Sequence, residues 1–131
     1  MLARCLTLSL VIAFAVAAQA ASAPKRLFFN HGSSSAYAAE KLVGDAVKDY
    51  ILAVNAGQKI TVTLASSDPA LRFNVISAFS KAVLFDGRTA KEPAWSGTLE
   101  LEGEYIISVY AARAEPSPQQ RPQFKLTVTL S

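Results

Sequence analysis

The sequence predicts an all-β fold: an antiparallel β-sandwich, jelly-roll-like, of about eight strands following a cleaved N-terminal leader. Three observations carry this expectation. Beyond residue 24 the apolar side chains recur with a period of two. Turn residues separate these runs at intervals of roughly 8–15 residues, the rhythm of sandwiches and barrels. The first twenty residues differ in composition from the rest and carry a secretory pattern.

The alternation is clearest in Lys59-Ile60-Thr61-Val62-Thr63-Leu64 and in Phe124-Lys125-Leu126-Thr127-Val128-Thr129-Leu130. Successive strand side chains point to opposite faces, so Ile60, Val62 and Leu64 share one face and the lysine and threonines the other. The β-branched residues suit a pleated surface. Tyr50, Leu52 and Val54 alternate in the same way, as do Leu71, Phe73 and Val75, and Tyr105, Ile107 and Val109. Ser35 to Lys48 has helix-friendly composition interrupted by Gly44, and its first part reads as a strand. Turn signals fall at Gly44-Asp45, Asn55-Ala56-Gly57, Asp68-Pro69, Asp86-Gly87 and Glu102-Gly103. Asn55 to Gln58 is expected to close a hairpin, with Gly57 free to take a positive φ. Ala114 to Pro122 holds Pro116, Pro118 and Pro122, which lack amide protons and exclude a central strand. This segment reads as an exposed loop between the last two strands.

At the N-terminus, Arg4 precedes an apolar stretch from Leu6 to Ala18, and Ala18-Gln19-Ala20 offers the small-x-small pattern of a peptidase site. The stretch is short for a bilayer span and no stop-transfer charges follow it. Residues 1–20 therefore read as a signal peptide, with cleavage after Ala20 preferred over Ala23, and residues 21–131 as a single sandwich domain of 111 residues. The expected destination is the periplasm, without stable membrane insertion. Once Arg4 leaves, 12 basic residues face 10 acidic ones, scattered rather than clustered, which argues against nucleic acid. The lone cysteine, Cys5, lies in the leader. The domain then has no disulfide to rely on in an oxidising compartment, and its core alone must hold it.

Catalytic equipment is sparse. His31 is the single histidine, set in Asn30-His31-Gly32-Ser33, which reads as a turn. Several-imidazole metal sites are thereby excluded, and any Ser-His-Asp triad would depend on that residue. Gly32-Ser33-Ser34-Ser35 lacks the lysine of a phosphate loop. Glu100 and Glu102 read as the solvated face of a strand opposite Leu99 and Leu101, with Glu104 following at the same spacing. The clustered Asp and Asn ligands of a calcium loop are missing, and nothing beyond spacing supports a glycosidase carboxylate pair. Phe28, Phe29, Phe73, Phe85, Phe124 and Trp95 are expected in the core, Trp95 being the one partly exposed. The reading is a non-enzymatic protein with no cofactor or metal, whose function lies in loops or a sheet face.

Three segments also carry a resemblance: Ser33 to Tyr37, Asp49 to Val62 and Gly103 to Arg113. Together they resemble the periplasmic inhibitor of g-type lysozyme, and more broadly the bacterial pre-peptidase C-terminal domain. The resemblance implies a sandwich that places loop residues in the acidic cleft of a muramidase, where an arginine pairs with a carboxylate. It implies two arginines four residues apart after the Gly-x-Tyr strand. Arg113 matches the first, the second falls on Ser117, and Arg121 lies later. Glu102 replaces the family's serine before Gly-x-Tyr, and Ala38-Ala39 and Gly44-Asp45 stand at its early Ser-Gly and Gly-Tyr-Asp elements. The candidate partner contacts are Arg113, Tyr105, Arg121 and Glu102, and the candidate partner is a g-type lysozyme. The alternative is a stand-alone pre-peptidase-type module that binds an envelope glycan or protein.

Overall fold

A strand with one apolar face is stable only when that face meets another, and a computed structural model shows how this chain arranges the meeting. It describes residues 24–29, 34–44, 46–113 and 120–131. The expected leader and its cleavage site, the His31 turn, Asp45 and Ser117 lie outside the described residues. Nine strands form: β1 (Lys25–Arg26), β2 (Ser35–Lys41), β3 (Lys48–Val54), β4 (Gln58–Ser66), β5 (Leu71–Ser77), β6 (Val83–Asp86), β7 (Ala94–Leu99), β8 (Gly103–Ala111) and β9 (Gln123–Leu130). No helix occurs among the described residues.

One sheet runs β1-β3-β8-β5-β6 and the other β2-β9-β4-β7. All pairings are antiparallel except β1 with β3, where Lys25 lies opposite Tyr50. From β2 onward the chain changes sheet at every connection except β5–β6. That is the jelly-roll arrangement expected from the sequence, with the two-residue β1 added at an edge.

This topology corrects the reading of Asn55 to Gln58. The turn is present, closed by Gln58 N–H to the Asn55 carbonyl at 3.2 Å, and Gly57 takes φ +83°. It carries the chain from one sheet to the other instead of closing a hairpin. The local signal is the same in both cases. What decides is pairing at a distance: β3 aligns seven residues with β8, from Lys48 opposite Val109 to Val54 opposite Gly103, while β4 aligns with β7 and β9.

The alternating residues fill the space between the sheets. Tyr50, Leu52, Phe73, Val75, Ile107 and Val109 from one sheet meet Ile60, Val62, Leu64, Phe124, Leu126 and Val128 from the other, all buried. Phe73, Phe85 and Trp95 form an aromatic run with ring centroids 4.9 and 5.9 Å apart, which joins β6 of one sheet to β7 of the other. Phe29, Phe85 and Trp95 pack against the core while only partly buried. Phe28 departs from expectation at 76% exposed, because Leu27 beside it takes the inward position. The Glu100-Leu101-Glu102 segment is a second correction. Leu99 ends β7 and is buried, whereas Leu101 is 75% exposed in the connection to β8, so no strand alternation continues there.

A polar clasp supplements the core. Glu40 on β2 receives the hydroxyl hydrogen bond of Tyr50 on β3 and ion pairs from Lys25 Nζ at 3.0 Å and Lys48 Nζ at 3.6 Å. All three partners belong to the opposite sheet. The Tyr50 hydrogen bond and then the two lysines hold the Glu40 carboxyl below its ordinary range, against the cost of partial burial. Burial, and then the Glu40 carboxylate, push the Tyr50 hydroxyl far upward, so it stays a donor.

A group with a lowered folded pKa adds stability above its unfolded value and loses it as pH falls through the folded one. Glu40→Gln is therefore expected to lower unfolding free energy by about 1–2 kcal/mol at pH 7, the scale of a charged hydrogen bond partly open to water. Urea titrations of both proteins should converge as pH falls below the ordinary carboxylate range and through the lowered folded-state pKa of Glu40, where the wild-type side chain also becomes neutral. A gap that stays unchanged down to the acid unfolding limit would mean that the clasp acts through shape alone.

Candidate functional site

The four candidate contacts do not form one site. β8 runs between them, and its nine residues span roughly 30 Å. Glu102 and Tyr105 stand at its start, and Arg113 stands just past its end.

At the first end, Tyr105 points inward and is 5% exposed. Its hydroxyl donates to the Leu101 carbonyl at 2.6 Å, four residues upstream. This resembles the tyrosine corner of other sandwiches, in which a buried tyrosine ties down the approach to its own strand. Tyr105 therefore holds the turn and presents no surface to a partner, because the alternation that buries Ile107 and Val109 buries it too. Glu102 is exposed on that turn. Glu104, next on β8, pairs with Arg26 at 2.6 Å. Among the described residues no three acidic, histidine or cysteine side chains converge as metal ligands.

The second end is built by the β5–β8 seam. Leu71 lies opposite Ala111, and the seam extends one step further through Ala112 N–H to the Ala70 carbonyl at 2.7 Å. This brings Arg113 to the turn before β5, where its guanidinium donates to Asp68. Asp68 is itself fixed: its other oxygen accepts the Ala70 N–H at 3.0 Å, and its own N–H donates to Ser66 Oγ at 3.1 Å. The Ala70 N–H and then Arg113 hold the Asp68 carboxyl below the ordinary carboxylate range, against its desolvation. The Arg113 and Asp68 side chains are only 19% and 17% exposed. Arg113, chosen from the sequence as the residue to enter a cleft, thus has its charge met by a carboxylate 45 residues away. No local pattern around Arg113 announces that partner.

Arg121 comes to the same place by another route. The stretch before β9 is stitched to the β2–β3 connection by Gly44 N–H to the Gln120 carbonyl at 2.8 Å and Leu42 N–H to the Pro122 carbonyl at 2.9 Å. Arg121 and Arg113 then line one open hollow of about 470 Å³, together with Asp68, Pro69, Gln120 and Pro122. Arg121 is exposed and has no ion-pair partner among the described residues. An open hollow bordered by one restrained and one exposed guanidinium suits a carboxylate-bearing surface better than a small molecule, which needs deeper enclosure.

Comparison with known proteins bears on this arrangement. No protein-family model matches the chain. No curated protein sequence matches it significantly. Among solved structures, a periplasmic inhibitor of g-type lysozyme from Aeromonas hydrophila superposes with a TM-score of 0.73 at 25% identity, over 82% of this chain and 96% of that one. The inhibitor of g-type lysozyme from Salmonella Typhimurium gives a TM-score of 0.63 at 15% identity, over 81% and 96%. The pre-peptidase C-terminal domain of a Bacillus anthracis collagenase gives 0.58 at 14%, over 81% and 94%. The last two likenesses speak to the fold alone. The chain has the sandwich fold of these proteins and resembles the periplasmic inhibitors of g-type lysozyme over nearly all of their length.

Proposed function

We propose that this protein is exported to the periplasm, loses residues 1–20 and inhibits a lysozyme, g-type above others, by pressing the Arg113–Arg121 end against its active-site cleft. One observation carries the reading: the superposition on the Aeromonas inhibitor, at 25% identity, covers almost the whole of that protein. The chemistry at the second end is consistent with it. Glycoside hydrolysis relies on a pair of carboxylates, so a muramidase cleft is a concentrated acidic target. Arginine is the side chain suited to it, through bidentate charge-assisted hydrogen bonds.

The two arginines take different parts. Arg113 is held by Asp68 and positions the root of the loop, while the exposed Arg121 is the guanidinium offered to the cleft. Glu102, roughly 30 Å away along β8, stands clear of the acidic partner, so the negative charge gained at that position does not oppose docking.

The purified chain lacking residues 1–20 is expected to inhibit g-type lysozyme at micromolar concentration or below, with weaker or no effect on c-type and i-type enzymes. Unchanged g-type activity would sink the proposal. Arg121→Ala is expected to raise the inhibition constant by roughly 10-fold to 150-fold, equivalent to about 1.5–3 kcal/mol, with an unchanged melting temperature. Arg113→Ala should instead lower the melting temperature, because it strands the Asp68 carboxylate. Thermal melts beside inhibition assays of the two variants separate these roles; a stable Arg113→Ala protein with the greater loss of inhibition would reverse them.

A further inference from the structure

The outer face of the β5–β8 pair carries a second cationic feature that the sequence reading did not single out. Tyr110 points away from the core yet is only 8% exposed, because the turn after β6 folds over it. The Arg88 guanidinium carbon lies 5.2 Å from the Tyr110 ring centroid, and Arg88 itself is exposed. Arg72, opposite Tyr110 in the register, donates to the Ala90 carbonyl at 3.3 Å, which secures the far side of the turn.

The platform is rigidly built. Asn74 Oδ1 accepts both the Tyr110 hydroxyl at 2.7 Å and the Gly87 N–H at 3.0 Å, joining the tyrosine to the turn. Asp86 Oδ1 accepts the Arg88 N–H at 3.0 Å. Gly87 sits so close to β5 that an added Cβ would stand 2.3 Å from the Phe73 carbonyl oxygen, so the turn cannot lift without losing that contact. An arginine stacked on tyrosine and fixed at its backbone gives up little freedom on binding. Its place is significant as well. Tyr110 is three residues before Arg113, about 10 Å along the strand, so platform and hollow share one end of the sandwich.

Resting on the inhibitor reading above, we infer that Arg88, stacked on Tyr110, is a second contact with the lysozyme and receives a carboxylate on the rim of the cleft. Charge complementarity argues for this occupant. Arg72, Arg88, Lys91, Arg113 and Arg121 gather here against Asp68, Asp86 and Glu92, whereas at the opposite end Glu100, Glu102 and Glu104 are matched by Lys59, Lys81 and Arg26. The partner approached by this end is therefore acidic.

Inhibition of g-type lysozyme by Arg88→Ala, Arg88→Lys and Arg88→Glu, with thermal melts of each, tests the inference. Expected is a loss of about tenfold for alanine, the scale of one charge-assisted hydrogen bond, a smaller loss for lysine, which lacks the fork, and a larger one for glutamate, all at unchanged melting temperature. If the wild type inhibits and the alanine and glutamate variants both stay within about twofold of it, Arg88 is no contact and the inhibitor reading stands without it. Equal losses for all three, tracking a lowered melting temperature, would make Arg88 structural and overturn the inference too. If the wild type inhibits no g-type lysozyme, both readings fall together.

Discussion

Tyr50 sits where the two demands on this fold meet. Its ring is 1% exposed and packs edge-on against Phe124 of the opposite sheet, with centroids 6.4 Å apart. Its hydroxyl reaches Glu40, also of the opposite sheet. One side chain therefore joins the layers through both apolar contact and a charge-assisted hydrogen bond. A domain without disulfides depends on such joints, since two alternating sheets are held only by what lies between them. The buried phenol would be costly if left unpaired, so the clasp and the core are one arrangement: removing Glu40 strands the very group that anchors the core.

Because the sheets are fixed, their seams can carry chemistry to the ends of the molecule. The β5–β8 pairing holds Phe73, Val75, Ile107 and Val109 inward and Arg72, Asn74 and Tyr110 outward. Past its last pair it delivers Arg113 to Asp68. The same nine-residue strand begins with a turn held by Tyr105 and flanked by exposed glutamate. β8 thus connects an end where Glu100, Glu102 and Glu104 are matched by Lys59, Lys81 and Arg26 to an end with an excess of arginine. The separation exceeds the screening length of physiological salt several times over, so each end meets a partner through its own field.

The layers were legible in the sequence because alternation is a local property. Ile60, Val62 and Leu64 declare a face without reference to any other strand, and so do Leu126, Val128 and Leu130. Pairing is not local. Asn55-Ala56-Gly57-Gln58 makes the same turn whether it closes a hairpin or crosses between sheets, and β8 and β9, more than forty residues further on, decide which. Tyr105 belongs to a motif whose physical meaning is burial, so the motif marks the fold and not a surface. Arg113 and Arg121 were legible as loop arginines, but Asp68, which restrains the first, comes from a distant turn. The Arg88 platform draws on Arg72, Asn74, Asp86, Gly87 and Tyr110 from three strands and a turn. No spacing rule in one dimension assembles those residues; only the β5–β6 hairpin and the β5–β8 register do.

Amide hydrogen exchange of this protein, alone and with excess g-type lysozyme, tests the central claim most directly. The account requires new protection at Asp68, Gly87 to Thr89, Ala112 to Arg113 and Gln120 to Arg121, with the turn from Leu101 to Gly103 unchanged. Protection confined to that opposite turn or to the outer face of the four-stranded sheet, or none anywhere, would contradict it.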